Sequence, residues 1–183
     1  MSLRTRGADP GSALATARVD RRTKDLAKRL VPGEVAVIDH EDLDRVAAET
    51  LIDAGAAAVV NASPCITGRY PNTGPLLIAQ SGIPIIDAVG TDVMDRIADG
   101  EAVRIRGDEV LDADGVVLAK GTRQTEESID AVLEVAKRSM GAELERFAVN
   151  TLAYIQKEGH LLVDDPHIPD VPVDFTDRHV LIV

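Results

Sequence analysis

The stretch from Val35-Ala36-Val37-Ile38-Asp39 to Ala56-Ala57-Ala58-Val59-Val60 predicts two buried strands joined by a helix. A polar loop, residues 61–74, follows the second strand. The next run, Pro75-Leu76-Leu77-Ile78-Ala79-Gln80-Ser81-Gly82-Ile83-Pro84, predicts a short helix that is capped by glycine and leads into another strand. Together these elements predict one α/β domain over residues 32–122.

The composition excludes several classes of function. Hydrophobic residues make up 45% of the chain and aromatic residues only 2%, so the core must consist of Ala, Val, Ile and Leu. A net charge of −11 argues against nucleic acid as a partner, because there is no excess of cations to bind phosphates. No apolar run approaches the roughly 20 residues of a membrane-spanning helix. The single cysteine, Cys65, excludes an internal disulfide and favours a cytoplasmic protein.

The sequence before the domain, residues 1–31, predicts less ordered structure than the domain itself. Residues 1–17 contain glycine, proline and small side chains, which is typical of a flexible arm. Residues 18–31 predict a short helix, with Leu26 and Leu30 between cations. A solvated helix face is favoured there over contact with an anionic surface.

A long helical arm is predicted over residues 123–160, beginning at the N-cap sequence Thr125-Glu126-Glu127-Ser128. Such a helix would extend roughly 50 Å, more than the α/β domain can cover. Its apolar positions are spaced alternately three and four apart, which keeps them on one stripe. We expect this stripe to pack against a second subunit, as a homo-oligomer interface, or against a following domain. The interface residues would be Ile129, Leu133, Met140, Leu144, Phe147 and Tyr154. Gly141 marks a position where the helix either continues or breaks into a hairpin.

The last segment, residues 161–183, predicts a proline-rich connector that ends in the start of a buried strand, Arg178-His179-Val180-Leu181-Ile182-Val183. We therefore expect a further α/β domain to follow in a longer protein. Acidic residues from Asp164 to Asp177 accompany His167 and His179 in this segment. A solvated linker is favoured over a metal site, because alternate side chains of an extended segment point to opposite sides. No metal site is predicted.

The order of elements in residues 32–120 resembles the swivelling phosphohistidine domain of phosphoenolpyruvate-utilising enzymes. Gly82-Ile83-Pro84 and Asp99-Gly100-Glu101 carry this resemblance. It implies a reactive histidine nine positions before Gly82, where this chain has Thr73. A threonine hydroxyl does not replace an imidazole nucleophile near neutral pH without a nearby base. We therefore expect the swivelling-type β/β/α fold to be retained and the phosphoryl-carrier chemistry to be absent.

A second resemblance extends from about Arg18 to the last residue. The chain is similar to the N-terminal half of the SteA family in the following segments: Ala17-Arg18-Val19-Asp20-Arg21, Val59-Val60-Asn61-Ala62-Ser63, Gly68-Arg69-Tyr70-Pro71-Asn72-Thr73-Gly74-Pro75, Ile168-Pro169-Asp170-Val171 and residues 178–183. The resemblance implies an actinobacterial protein of cell division and envelope integrity. It also implies a membrane-spanning tether, a SteB-like membrane partner and a C-terminal domain similar to thiamin pyrophosphokinase. ATP and Mg²⁺ would belong to that domain, beyond Val183, and no cofactor is expected in this chain.

The 61–74 loop is the predicted ligand site, because it gathers polar side chains between a strand end and a helix N-terminus. Such a place suits a small anion, and Arg69 could add a bidentate contact. The predicted residues are Asn61, Ser63, Thr67, Gly68, Arg69, Tyr70, Asn72, Thr73 and Gly74, with Arg123 as a secondary candidate. The alternative is that these side chains satisfy the loop backbone. For Cys65, an inert residue is favoured over a nucleophile activated by Arg69.

These observations predict a non-catalytic regulatory or scaffolding region of a SteA-like protein. Two alternatives stay open. The loop could be the substrate-holding part of a thiamin pyrophosphokinase-type, ATP-dependent kinase, although the chain has no phosphate-binding loop motif. The long helix could instead make the chain a dimerisation module.

Overall fold

The computed structural model describes residues 13–158 and Thr176. The chain divides into two units, residues 1–142 and residues 143–183. The elements in chain order are β1 (Ala15–Asp20), α1 (Thr23–Ala27), β2 (Val35–Ile38), α2 (Arg45–Asp53), β3 (Ala58–Asn61), α3 (Gly74–Gln80), β4 (Ile85–Asp87), α4 (Val93–Arg96), β5 (Ala102–Arg106), β6 (Glu109–Leu111), β7 (Val117–Lys120), β8 (Thr122–Gln124) and α5 (Glu126–Glu158).

One eight-stranded sheet organises the first unit, in the order β7-β6-β5-β1-β2-β3-β4-β8. Strands β1 to β4 are parallel and lie side by side in chain order, with one helix in each connection. Strands β5 and β8 flank this parallel part and run antiparallel to it. The predicted α/β class, with a long helix after the domain, is confirmed.

The sheet separates two aliphatic cores. In β2, Ala36 and Ile38 point into the core that contains α1, α2 and α3, whereas Val35 and Val37 point into the core beneath α4 and β5 to β7. This alternation follows from the two-residue period of a strand. Burying each large aliphatic side chain contributes roughly 1.5–3 kcal/mol, so Ala, Val, Ile and Leu can stabilise this fold without aromatic residues.

The first strand corrects the predicted boundaries. Residues 15–17 were expected in a flexible arm and residues 18–31 in a helix, but β1 occupies Ala15–Asp20 and α1 only Thr23–Ala27. Strand β1 lies between β2 and β5, and the side chain of Ala17 is fully buried. Backbone pairing with two strands outweighs the weak local preferences of this segment. The domain therefore includes Ala15, well before residue 32.

Two predicted helices are confirmed. Helix α3 is followed by Gly82, which has a φ of 77° and ends the helix as expected. Helix α5 begins with a reciprocal cap, in which the Ser128 N–H donates to Thr125 Oγ1 and the Thr125 N–H donates to Ser128 Oγ. Gly141 lies inside α5, so the helix continues through it.

The membrane span and the predicted C-terminal segment can be discussed only for the residues that the structure describes. Within residues 13–158, no helix combines the length and the apolar character needed to cross a bilayer. The predicted connector and final strand in residues 161–183 lie outside the described residues, apart from Thr176. The acidic residues from Asp164 to Asp177, with His167 and His179, were weighed as metal ligands and lie outside them as well.

Candidate functional site

The 61–74 loop lies at the carboxyl edge of the parallel strands. It begins at Asn61, the last residue of β3, and ends at Gly74, the first residue of α3. Its neighbours at this edge are Asp39 and His40 after β2, and Asp87 at the end of β4. In open α/β sheets, this edge is where ligands usually bind.

Asn61, at the end of β3, is hydrogen-bonded to His40, which follows β2. Its side chain is fully buried, and its Nδ2 donates to the carbonyl oxygens of His40, at 2.9 Å, and Ser63, at 2.6 Å. Its Oδ1 accepts from the His40 N–H at 2.9 Å. The amide is thus engaged with backbone groups, as the architectural alternative predicts.

Ser63 and Thr67 bind carboxylates of the preceding loop. Ser63 Oγ donates to Asp39 Oδ1 at 2.6 Å. The N–H and the hydroxyl of Thr67 donate to the two carboxylate oxygens of Asp42, at 2.7 and 2.8 Å. Asp42 has a φ of 51°, an uncommon conformation for a residue with a side chain, and these bonds hold it in place.

Asn72 and Gly74 fix the entry into α3. Asn72 Nδ2 donates to the carbonyl oxygens of Leu43, at 2.9 Å, and Cys65, at 3.0 Å. The α-carbon of Gly74 packs against the backbone carbonyls of Leu43 and Asp44 so closely that a β-carbon would overlap them. Backbone therefore occupies the space beside the first residue of α3.

Arg69 and Tyr70 are the exposed large side chains of the loop. Arg69 Nη1 donates to Glu41 Oε1 at 3.1 Å, and both side chains are mostly exposed. Such a surface ion pair contributes little stability, so an anion could displace it. Gly68, with a φ of 78°, and the exposed Thr73 complete the predicted set. Anion binding at Arg69 stays a prediction.

The secondary candidate, Arg123, lies on β8, which is separated from β3 by β4. Its Nη1 donates to the carbonyl oxygen of Gly107 at 3.4 Å, and its backbone pairs with Ile86. These contacts connect Arg123 to the turn between β5 and β6 and to strand β4.

Cys65 is buried beside Asp87. Burial, followed by the charge of Asp87, raises the pKa of the Cys65 thiol well above its ordinary value. The Asp87 carboxylate accepts from the Cys65 N–H at 2.8 Å and from Gln124 Nε2 at 3.2 Å. A thiol in this state is a poor nucleophile, which favours the inert interpretation.

A cleft between α1 and α2 is the feature that sequence reasoning missed. It has a volume of about 920 Å³ and lies beside the carboxyl ends of β1 and β2. On its wall, Thr23 Oγ1 lies 2.9 Å from His40 Nδ1, and Arg21 Nη1 lies 3.2 Å from Asp39 Oδ2. The assignment of residues 18–31 to one helix concealed this cleft, because it left no strand end at Asp20.

The predicted helix interface divides into two parts. Ile129 and Leu133 are buried in the core of the first unit, so their assignment to an oligomer interface is corrected. Leu144, Phe147 and Tyr154 are exposed, and Met140 is partly so. The apolar stripe thus fills the domain core at its beginning and meets solvent further along.

Metal-ligating side chains do not cluster in the part of the chain that the structure describes: no group of three or more His, Cys, Asp or Glu residues there could hold an ion. A comparison with the profiles of known protein families finds no match, and a search of curated proteins finds no similar sequence.

Proposed function

We propose that this chain is a non-catalytic scaffolding region that pairs with a second copy of itself through the exposed part of α5. The observation that carries the proposal is the set of large apolar side chains exposed on residues 140–155. Those on the stripe are Met140, Leu144, Phe147 and Tyr154.

The spacing of these side chains supports pairing with a helix. Met140, Leu144, Phe147, Thr151 and Tyr154 follow one another at intervals of four, three, four and three residues. This is the pattern of a coiled-coil seam, where each side chain inserts between residues of the facing helix. Glu145 and Arg146 lie away from the seam and remain solvated. A second copy offers the same seam and can form a symmetric pair.

The non-catalytic part of the proposal rests on the 61–74 loop. Cys65 is buried with a raised pKa, and Asn61, Ser63 and Thr67 are bonded to neighbouring backbone or carboxylate groups. These contacts favour an architectural loop over the substrate-holding part of a kinase.

The SteA-like segments extend the proposal to a cellular role. In a longer protein of that family, this region would support cell division and envelope integrity as a cytoplasmic module tethered to the membrane. A SteB-like membrane protein would be its partner there, and ATP and Mg²⁺ would bind a separate thiamin pyrophosphokinase-like domain. A dimeric scaffold would bring two such domains together.

The test is the mass of the full chain in solution, measured by light scattering after size exclusion. We expect twice the chain mass of 19.5 kDa for the wild type, and the monomer mass for the variant Leu144→Glu/Phe147→Glu. Val149→Glu is the matched control, because Val149 is also exposed but lies about 200° around the helix from Phe147. A monomeric wild type, or a dimer that survives the double substitution, would contradict the proposal.

A further inference from the structure

The cleft between α1 and α2 lies outside the predicted 61–74 site and has the size of a small-molecule pocket. Its volume of about 920 Å³ falls at the upper end of the usual range for ligand pockets, roughly 300–1,000 Å³. Cationic, acidic, polar and apolar side chains line it. We propose that this cleft binds an organic phosphate, a small molecule with a phosphate group on an apolar body.

Arg22 and Lys24 supply the positive charge. Both side chains line the cleft and are exposed, and within residues 13–158 neither makes a hydrogen bond or an ion pair. A phosphate group suits two cations that line the same cleft, because each can form a charge-assisted hydrogen bond with it.

The carboxylates of the cleft already have partners. Asp25 accepts from Lys28 Nζ at 2.8 Å, and Asp39 accepts from Ser63 and lies beside Arg21. Asp44 caps α2 by accepting from the Ala47 N–H at 2.8 Å. Lys28 contributes most to the lowered pKa of Asp25 and the charges of Arg22 and Lys24 contribute less, so both cations stay without a hydrogen-bonded carboxylate.

The pair of Thr23 and His40 offers a further donor. Thr23 Oγ1 and His40 Nδ1 lie 2.9 Å apart, and His40 Nε2 is 3.8 Å from Asp44 Oδ2, beyond hydrogen-bond distance. When the Thr23 hydroxyl donates to Nδ1, Nε2 carries the ring proton and can donate to a phosphate oxygen.

The apolar side chains of the cleft would contact the apolar body of the ligand. Ala27 of α1 and Val46 and Ala47 of α2 line the cleft, and Val46 is 72% exposed. Covering Val46 with an apolar group would remove its surface from water, which adds to affinity. Inorganic phosphate lacks such a group and should bind more weakly.

The test is a titration of the ¹⁵N-labelled full chain, followed residue by residue by NMR. Phenyl phosphate is the probe, and inorganic phosphate and phenol represent its two parts. We expect saturable shifts of the amides in residues 21–28 and 46–50 with phenyl phosphate. The variant Arg22→Gln/Lys24→Gln should weaken binding by about tenfold or more, because each cation contributes a charged hydrogen bond. Arg69→Gln is the matched control and should bind as the wild type does.

Three outcomes would overturn the proposal. They are the absence of saturable shifts, shifts confined to residues 61–74 that disappear in Arg69→Gln, and equal affinity for inorganic phosphate and phenyl phosphate. Because Arg22 and Lys24 are exposed, their replacement should leave the spectrum of the folded protein intact. The amide shifts of residues 21–28 and 46–50 report on binding in the first unit. This result is therefore independent of dimer formation through residues 140–155.

Discussion

Arg18 and Glu34 form a two-pronged ion pair that joins β1 to the turn before β2. Arg18 Nε and Nη2 each donate to one carboxylate oxygen of Glu34 at 2.8 Å. Glu34 Oε2 also accepts from the Val31 N–H at 2.9 Å. The hydrogen bond from Arg18 and the one from Val31 hold the pKa of Glu34 below its ordinary value. This pair holds β1 in place, a strand whose residues 18–20 were predicted as part of a helix.

The lowered pKa of Glu34 predicts a pH-dependent contribution to stability. The folded state favours the ionised carboxylate, so the contribution is complete above the unfolded pKa of about 4.3 and is lost as pH falls through the lower folded pKa. We expect Glu34→Gln to lower the free energy of unfolding at pH 7, and the gap to the wild type to narrow near pH 3. Urea denaturation at the two pH values measures this. A gap that is constant with pH would contradict the assignment.

Asn61 is expected to be essential for stability. Replacement by alanine removes its bonds to His40 and Ser63 and leaves buried backbone groups without partners. We expect Asn61→Ala to lower the free energy of unfolding by about 3 kcal/mol. Thr73→Ala is the control in the same loop, because the Thr73 side chain makes no capping bond, and it should change stability by less than about 0.5 kcal/mol. Equal effects in the two variants would argue against an architectural role for Asn61.

Gly74 and Gly141 should respond oppositely to the same substitution. A β-carbon at Gly74 would overlap the carbonyl oxygen of Leu43, so Gly74→Ala should destabilise the fold by about 2 kcal/mol or more. A β-carbon at Gly141 meets nothing within 4 Å, so Gly141→Ala should stabilise helix α5 by roughly 0.5–1 kcal/mol. Denaturation measures the first effect and helical circular dichroism on heating the second. A neutral Gly74→Ala would show that α3 can move away from Leu43.

The elements with strong local signals were predictable. Strand β2 and the first three residues of β3 are aliphatic runs, α3 is followed by a glycine, and α5 starts at a threonine cap. Each could therefore be located without knowledge of the fold. The loop was predicted as a concentration of polar groups. The structural role of these groups could not be predicted, because their hydrogen-bond acceptors Asp39 and Asp42 come close to them only in the folded chain.

The missed strand had a signal of its own. Ala15, Ala17 and Val19 alternate with polar residues, which is the period of a half-buried strand. The cations that follow Asp20 suggested a helix instead, and the pairing of Ala15 with Val103 spans too much sequence to be inferred locally. The helix stripe raised a similar difficulty, because a three-four spacing cannot show where a domain core ends and an interface begins.

Strand β1 lies between the two parts of the sheet, the parallel strands on one side and the antiparallel strands β5 to β7 on the other. On one side it pairs with β2 over four residues, and on the other it pairs with β5 through Ala15 and Thr16, with Ala17 bonded to Gly100 and Glu101 just before β5. The parallel strands and the β5–β7 meander therefore share one short backbone junction, beside a core to which both contribute side chains. A shortened chain that begins at Arg18 would keep the β2 pairing of Arg18 to Asp20 but lose that junction. The amides of β5 would then exchange their hydrogens faster, while those of β2 and β3 stayed protected by their own pairing.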